Sequence, residues 1–485
     1  MNIQQFQLRI LGYLILLVAS LSAVAAESAF PSTYKARQAP DTIILGGVIF
    51  TGTGEVIENG YVKIVGGVLA SVNSGEPALI DEFTTVVDAS DKWITPGIID
   101  VHSHLGDYPV PGYKAHSDGN EATSPITAEV WVEHSVWPQD PQFPLALAGG
   151  VTTLQVLPGS ANLFGGRSVV LKNVSSRTVQ GMKFPGAPYG LKMACGENPK
   201  RVYGKKPSGP ATRMGNFAHY RKAWINAQEY QQKWATYRQE VKDYALTDQA
   251  SADQGKGDQE PGNAGYREKP LKKPVAPKRD LQMETLVGVL EGEILVHNHC
   301  YRADEMAQII DLGREFGYKI TAFHHAVEAY KIADLLAANN ICAAMWADWT
   351  RFKLESFDGI NENIALVSNA GACAIVHSDS ATGIQRLNQE AAKALAAGRR
   401  MGLEITEAEA IRWITLNPAK ALGISGKTGS LEEGKMADVV IWNRNPFSVY
   451  SRAEKVYIDG SLVFDLEKDL KPVTDFELGQ RVREI

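Results

Sequence analysis

Two histidines, His102 and His104, stand one residue apart at the end of an apolar run, Ile98-Ile99-Asp100-Val101-His102-Ser103-His104, just after Thr95-Pro96-Gly97. In an extended strand alternate side chains share a face, so the two imidazoles lie side by side; on a helix they would be turned roughly 200° apart. Paired neutral imidazoles at a strand end suit a zinc-type cation. A single H-x-H pair is a weak signal, and its weight comes from company. Three later apolar runs also end in ligand-type residues. These are Ile294-Leu295-Val296-His297, Ile320-Thr321-Ala322-Phe323-His324-His325, and Cys373-Ala374-Ile375-Val376-His377-Ser378-Asp379. The chain has ten histidines, and most of them fall at these run ends, which independent structural histidines would not do.

Other candidates surround this set. Lys192 lies inside the apolar run Gly190-Leu191-Lys192-Met193-Ala194, an unusual place for a lysine that is neither paired nor modified. Glu197 follows it closely. His299 shares a strand face with His297, and Arg302 comes three residues later; both are candidates for substrate contact, as are Glu197 and His116. His116 belongs to Lys114-Ala115-His116-Ser117-Asp118, in the long segment after the His102 run. The glycine-rich stretch Gly159–Gly166 (GSANLFGG) lacks the G-K-[ST] ending of a phosphate loop and reads as a tight loop beside the pocket.

The elements that must position these residues alternate. Short apolar runs at Ile94–Val101, Val151–Leu157, Gly190–Ala194, Ile294–His297, Lys319–Phe323, Ile341–Met345 and Ala372–Val376 are interleaved with helical segments such as Ala303–Phe316 and Ile384–Met401. Strand–helix alternation over residues 94–426 predicts an α/β fold, a (β/α)₈ TIM-like barrel whose strand C-termini converge on one face. The stretches 41–93 and 427–466 carry short β-branched runs punctuated by Gly-Gly, Gly-Thr-Gly and Asn-Gly. They predict one small β-sandwich assembled from both chain ends. A polar helix is expected over His219–Tyr244, its aromatics forming a buried face, and the Gly-, Pro- and Lys-rich stretch 245–278 reads as a flexible surface insertion.

Taken together, H-x-H after Pro-Gly-Ile-Ile-Asp, histidines on two later strands and a final aspartate resemble the amidohydrolase superfamily, and more narrowly its imidazolonepropionase-related, Xaa-Pro dipeptidase-like branch. Gly150-Val151-Thr152-Thr153, Asn417-Pro418-Ala419-Lys420-Ala421-Leu422-Gly423 and Gly434-Lys435-Met436-Ala437-Asp438 support the resemblance, which covers about Thr42 to Phe464 apart from the insertion. It implies a divalent metal, one or two ions, with zinc the first expectation and manganese, iron or nickel the alternatives. His102, His104 and Asp379 would hold one ion; His297 and His325, the second histidine of its pair, would hold another or contact substrate. Lys192, carboxylated, would bridge the two, with Glu197 as its alternative, while His324 and His377 would pack behind. The reaction implied is hydrolysis of an amide-type C–N bond in a dipeptide, N-acyl amino acid or cyclic amide. Asp379 would serve as general base and His325 would polarise the carbonyl. The competing class, an inactive binding protein on the same fold, should have lost part of the set His102, His104, His297, His325 and Asp379, and all five stand.

Bulk properties are those of an ordinary globular chain, and the resemblance implies a small-molecule or dipeptide substrate. A net charge of −6 gives no overall pull toward nucleic acid. Residues 1–26 combine a polar opening, an apolar stretch from Ile10 to about Val24 and Ala23-Val24-Ala25-Ala26, which reads as a cleaved signal peptide. The mature protein is therefore expected to be exported, periplasmic or secreted, without a stable membrane anchor; a homo-oligomer is compatible with this reading. Cys195, Cys300, Cys342 and Cys373 are widely spaced and read as buried free thiols, with a Cys342–Cys373 bridge as the alternative.

Overall fold

The computed structural model describes residues 30–75, 77, 82–207, 209–254 and 272–468. The expected signal peptide lies outside these. The chain opens on β1 (Thr42–Phe50), β2 (Val56–Val65), β3 (Val68–Ser74), β4 (Thr85–Asp88) and β5 (Trp93–Pro96). Next come β6 (Ile98–Ser103), β7 (Val151–Val156), β8 (Phe164–Lys172), β9 (Gly190–Ala194) and β10 (Leu295–Cys300). β11 (Ala322–His325), β12 (Cys342–Met345) and β13 (Cys373–Val376) complete that series, and β14 (Val439–Trp442), β15 (Ala453–Ile458) and β16 (Ser461–Asp465) close the chain.

β6 to β13 form an eight-stranded, nearly closed barrel in strict sequence order. Seven of the strands are parallel. The eighth, β8, runs antiparallel to both β7 and β9, so the repeating strand–helix unit is interrupted at that point. β8 was hidden in the sequence because Gly165-Gly166 opens it and no helix separates it from β7. The gap between β13 and β6 is bridged by the backbone, where Asp379 N–H donates to the His102 carbonyl at 3.0 Å.

The chain-end strands meet in a sheet of order β16-β15-β14-β5-β1-β2-β3, with β4 beside β1. β14 pairs antiparallel with β5, joining the two ends of the sequence. The strands of both chain ends, expected to assemble one small β-sandwich, lie in one continuous hydrogen-bonded sheet. Its apolar face gathers Ile44, Val62, Ile64, Ile94, Val439 and Ile441 into a core of its own. The fully buried Lys172 of β8 reaches this sheet, with Nζ 2.7 Å from both Asp459 carboxylate oxygens and 3.4 Å from Asp438.

The polar helix is longer than expected. It runs from Arg213 to Gln254, into the stretch read as insertion, of which residues 255–271 lie outside the described residues. Tyr220 and Trp224 are buried on it, whereas Val241 is exposed. The cysteines are not free. Cys195 bonds Cys300 across the C-terminal ends of β9 and β10, and Cys342 bonds Cys373 at the starts of β12 and β13. Among the described residues no helix is long and apolar enough to cross a membrane.

Candidate metal centre

Register decides which side chains meet inside the barrel. In-register neighbours on parallel strands share a face, and Lys192 is paired with His297, and His299 with His324. Alternation along β10 puts His297 and His299 on one face, so Lys192, His297, His299 and His324 all line it. His324 lies at the centre of this group, its Nδ1 2.9 Å from His102 Nδ1 and its Nε2 2.9 Å from His297 Nδ1. Both of its ring nitrogens are taken up by these two histidines.

Alternation alone would point His325 away. Its backbone instead turns left-handed, at φ +67°, and Ala326 follows at φ +39°. The turn lays the His325 ring 4.7 Å from that of His102 and stacks it on Trp346 at 4.3 Å. Asp379, at φ +46°, makes a second such turn after β13. Its Oδ1 lies 3.4 Å from His104 Nε2 and 3.6 Å from His102 Nε2, and its Oδ2 lies 3.9 Å from His325 Nδ1. Non-glycine residues in this conformation are uncommon and concentrate where function holds them.

Two groups of ligand atoms, His102 with His104 and Asp379, and His102 with His325 and His377, each lie within 4.8 Å of one another. His104 Nδ1, His297 Nε2, His325 Nδ1 and His377 Nδ1 are buried without a hydrogen-bond partner among the described residues. Burial pushes His102, His324 and His325 well below the ordinary histidine range, His297 down to about 3 and His377 to about 4. Neutral imidazoles with orphaned ring nitrogens are competent metal donors. Lys192 Nζ donates to the Pro158 carbonyl at 3.0 Å, and burial brings its ammonium down to about 7, against the pull of Asp379.

Asp100 was passed over as part of an apolar run. Its buried carboxylate accepts from the backbone N–H of His102 at 3.1 Å, the N–H of Ser378 at 3.2 Å and the Ser378 hydroxyl. One side chain thus holds the β6 and β13 ends in register, and with them His102 and Asp379.

The candidates for substrate contact separate. His299 joins the site, its Nε2 3.3 Å from Asn198 Nδ2 and its ring 4.5 Å from His325. Glu197 lies at the rim, its carboxylate 3.5 Å from Lys353 Nζ rather than among the histidines. Arg302 turns to Asp304 at 2.9 Å, and the exposed His116 sits beside Trp137, ring centroids 5.6 Å apart. Neither is brought to the cluster.

The histidine–carboxylate cluster at the barrel's strand ends could hold a metal ion, and comparison with known proteins gives the family. The profile of the Amidohydrolase family matches residues 93–463, and the chain belongs to that family. An amidohydrolase from Thermotoga maritima MSB8 is 33% identical with a TM-score of 0.69, and the match covers 87% of this chain and all of that one. Amidohydrolase tasK of Hapsidospora irregularis is 31% identical over 84% of this chain, which spans only 40% of that relative's length. A Xaa-Pro dipeptidase solved with methionine in its active site is 18% identical with a TM-score of 0.51, over 87% of this chain and 99% of that one, and shares the fold.

Proposed function

We propose that this protein is a metal-dependent hydrolase that cleaves an amide-type C–N bond in a dipeptide, an N-acyl amino acid or a cyclic amide. The observation that carries the reading is the convergence of the His102 and His104 Nε2 atoms on one Asp379 oxygen, at 3.6 and 3.4 Å. His102, His104 and Asp379 would hold one divalent ion, zinc first. His297 and Lys192 would hold a second, with His325 either completing that set or contacting substrate. Lys192 faces the barrel interior in register with His297, whereas Glu197 is engaged by Lys353, so the fourth barrel strand contributes through Lys192. A pKa near 7 leaves part of its amine uncharged, the form that can be carboxylated. A bound divalent ion supplies acidification of water and polarisation of the amide carbonyl.

The protein's own groups do the rest. Asp379 takes the proton of the attacking water and returns it to the leaving nitrogen. His325, packed against Trp346 and Tyr301, keeps its buried Nδ1 near Asp379, positioned to meet the developing oxyanion. Ser378 and Asp100 fix the β6 and β13 ends from which His102, His104 and Asp379 project. Export to an oxidising compartment belongs to the same proposal, supported by the leader-like residues 1–26 and two disulfides. Metal analysis of purified protein followed by a dipeptide and N-acyl amino acid screen tests the reading. Stoichiometric zinc or a similar ion and turnover of at least one amide class are expected; a metal-free protein that hydrolyses none would sink it.

A further inference from the structure

Beyond His325, the site has a wall whose charged groups the reaction leaves unused. Tyr301 stacks on His325 with centroids 5.3 Å apart, on the ring that also carries Trp346 at 4.3 Å. Phe352 stands edge-on to both aromatics, at 6.3 and 5.8 Å. Lys353 Nζ lies 3.8 Å above the Tyr301 ring. It is 3.5 Å from Glu197 and 3.5 Å from Glu355, ion pairs too long for firm hydrogen bonds. Glu355 is only 8% exposed, and its buried Oε2 has no hydrogen-bond partner among the described residues. Its Oε1 accepts the Glu197 N–H at 2.6 Å, an approach possible because residue 196 is glycine: at φ +76°, a Cβ there would lie 2.4 Å from that oxygen.

One ammonium between two carboxylates leaves a negative charge in excess beside the exposed ring of Phe352, which meets Tyr301 and Trp346 edge-on, and aromatic faces attract cations. A substrate carboxylate would be the third around Lys353, whereas a cation would balance the group and give the buried Glu355 oxygen a donor. We propose that this wall is a specificity subsite for a cationic substrate group, an ammonium or guanidinium on the residue flanking the scissile amide, as in lysine or arginine derivatives; the inference rests on the amide-hydrolase reading above. A guanidinium fits best, since its plane can stack on the exposed Phe352 ring while its edge pairs with carboxylates.

The test compares arginine with citrulline, its uncharged isostere. Calorimetry on metal-loaded protein should show arginine bound at least tenfold more tightly. Alanyl-arginine should exceed alanyl-citrulline in kcat/KM by a similar factor, carried mainly in KM. Both ratios should fall toward one in Glu355→Gln and in Glu197→Gln; the second, at the exposed rim, serves if the buried substitution disturbs folding. Equal handling of arginine and citrulline, or tighter binding of glutamate that depends on Lys353, overturns the subsite. Hydrolysis of both dipeptides without charge preference would overturn the subsite and leave the reaction standing. Charge-selective binding with no amide hydrolysed would do the reverse.

Discussion

Ser378→Ala removes one hydroxyl from the clasp that closes the barrel, and its cost follows from the contacts. The hydroxyl donates to Asp100 Oδ2 and lies 3.2 Å from the His102 carbonyl, while Asp100 Oδ1 keeps the two backbone donors. Alanine therefore leaves one oxygen of a fully buried carboxylate without a donor, worth about 1–3 kcal/mol. Tm should fall by a few degrees. The same change loosens the segment carrying Asp379, whose own N–H is bonded to His102 at 3.0 Å. Outer-shell partners of metal ligands typically contribute about 10–100-fold in affinity, so zinc affinity should drop within that range. Differential scanning calorimetry and competition with a chromogenic chelator read the two effects. Asp100→Asn keeps an accepting oxygen for the backbone donors and should cost less in Tm than Ser378→Ala combined with Asp100→Leu. Unchanged Tm together with unchanged zinc affinity in Ser378→Ala would refute the clasp.

Four further outcomes follow. His102→Ala combined with His104→Ala should lose the metal and all turnover, as read by elemental analysis; retained metal and activity would move the site elsewhere. Asp379→Asn keeps a coordinating oxygen but accepts no proton at neutral pH, so kcat should fall by about 10²–10⁴-fold with KM little changed, and a near-normal kcat with metal bound would exclude it as the base. Lys192→Met removes a desolvated amine held among the described residues by the Pro158 carbonyl, so Tm should stay level or rise while metal stoichiometry falls. A large loss of Tm with intact stoichiometry would make Lys192 structural. Replacing Cys342 and Cys373 by alanine opens a crosslink spanning 31 residues and should lower stability by about 2–4 kcal/mol, measured by denaturant unfolding; no change would show the bond is not formed.

Much of the barrel was legible because parallel strands buried on both faces appear as short apolar runs, and β9 to β13 each coincide with one. β8 was not, since two glycines mask its pattern and strand direction leaves no local trace. The metal candidates were visible as residue types at run ends. Alternation also contains the correct face for His324, but His325 enters the site through a left-handed turn that no periodicity encodes. The cysteine pairs depend on register, Cys342 lying opposite Cys373 on adjacent strands, and spacing along the chain carries no such information. Asp100 looked like an interruption of an apolar run, and its partner Ser378 lies 278 positions away, where no window of sequence could find it. Trp346, Lys353 and Glu355 lie on or beside a loop, where function leaves no period.

The bond between Cys195 and Cys300 has a further consequence. It closes a ring of chain that contains β9's following helix, the Arg213–Gln254 helix and residues 255–271. A protease cut anywhere inside that ring leaves both halves covalently joined, so a nicked molecule would migrate as intact protein until reductant is added. Its strands β9 and β10 would remain tethered at the ends that carry the site. Cleavage in this segment is thus a change the molecule can carry without falling apart, and one that only a comparison of reducing and non-reducing gels would reveal.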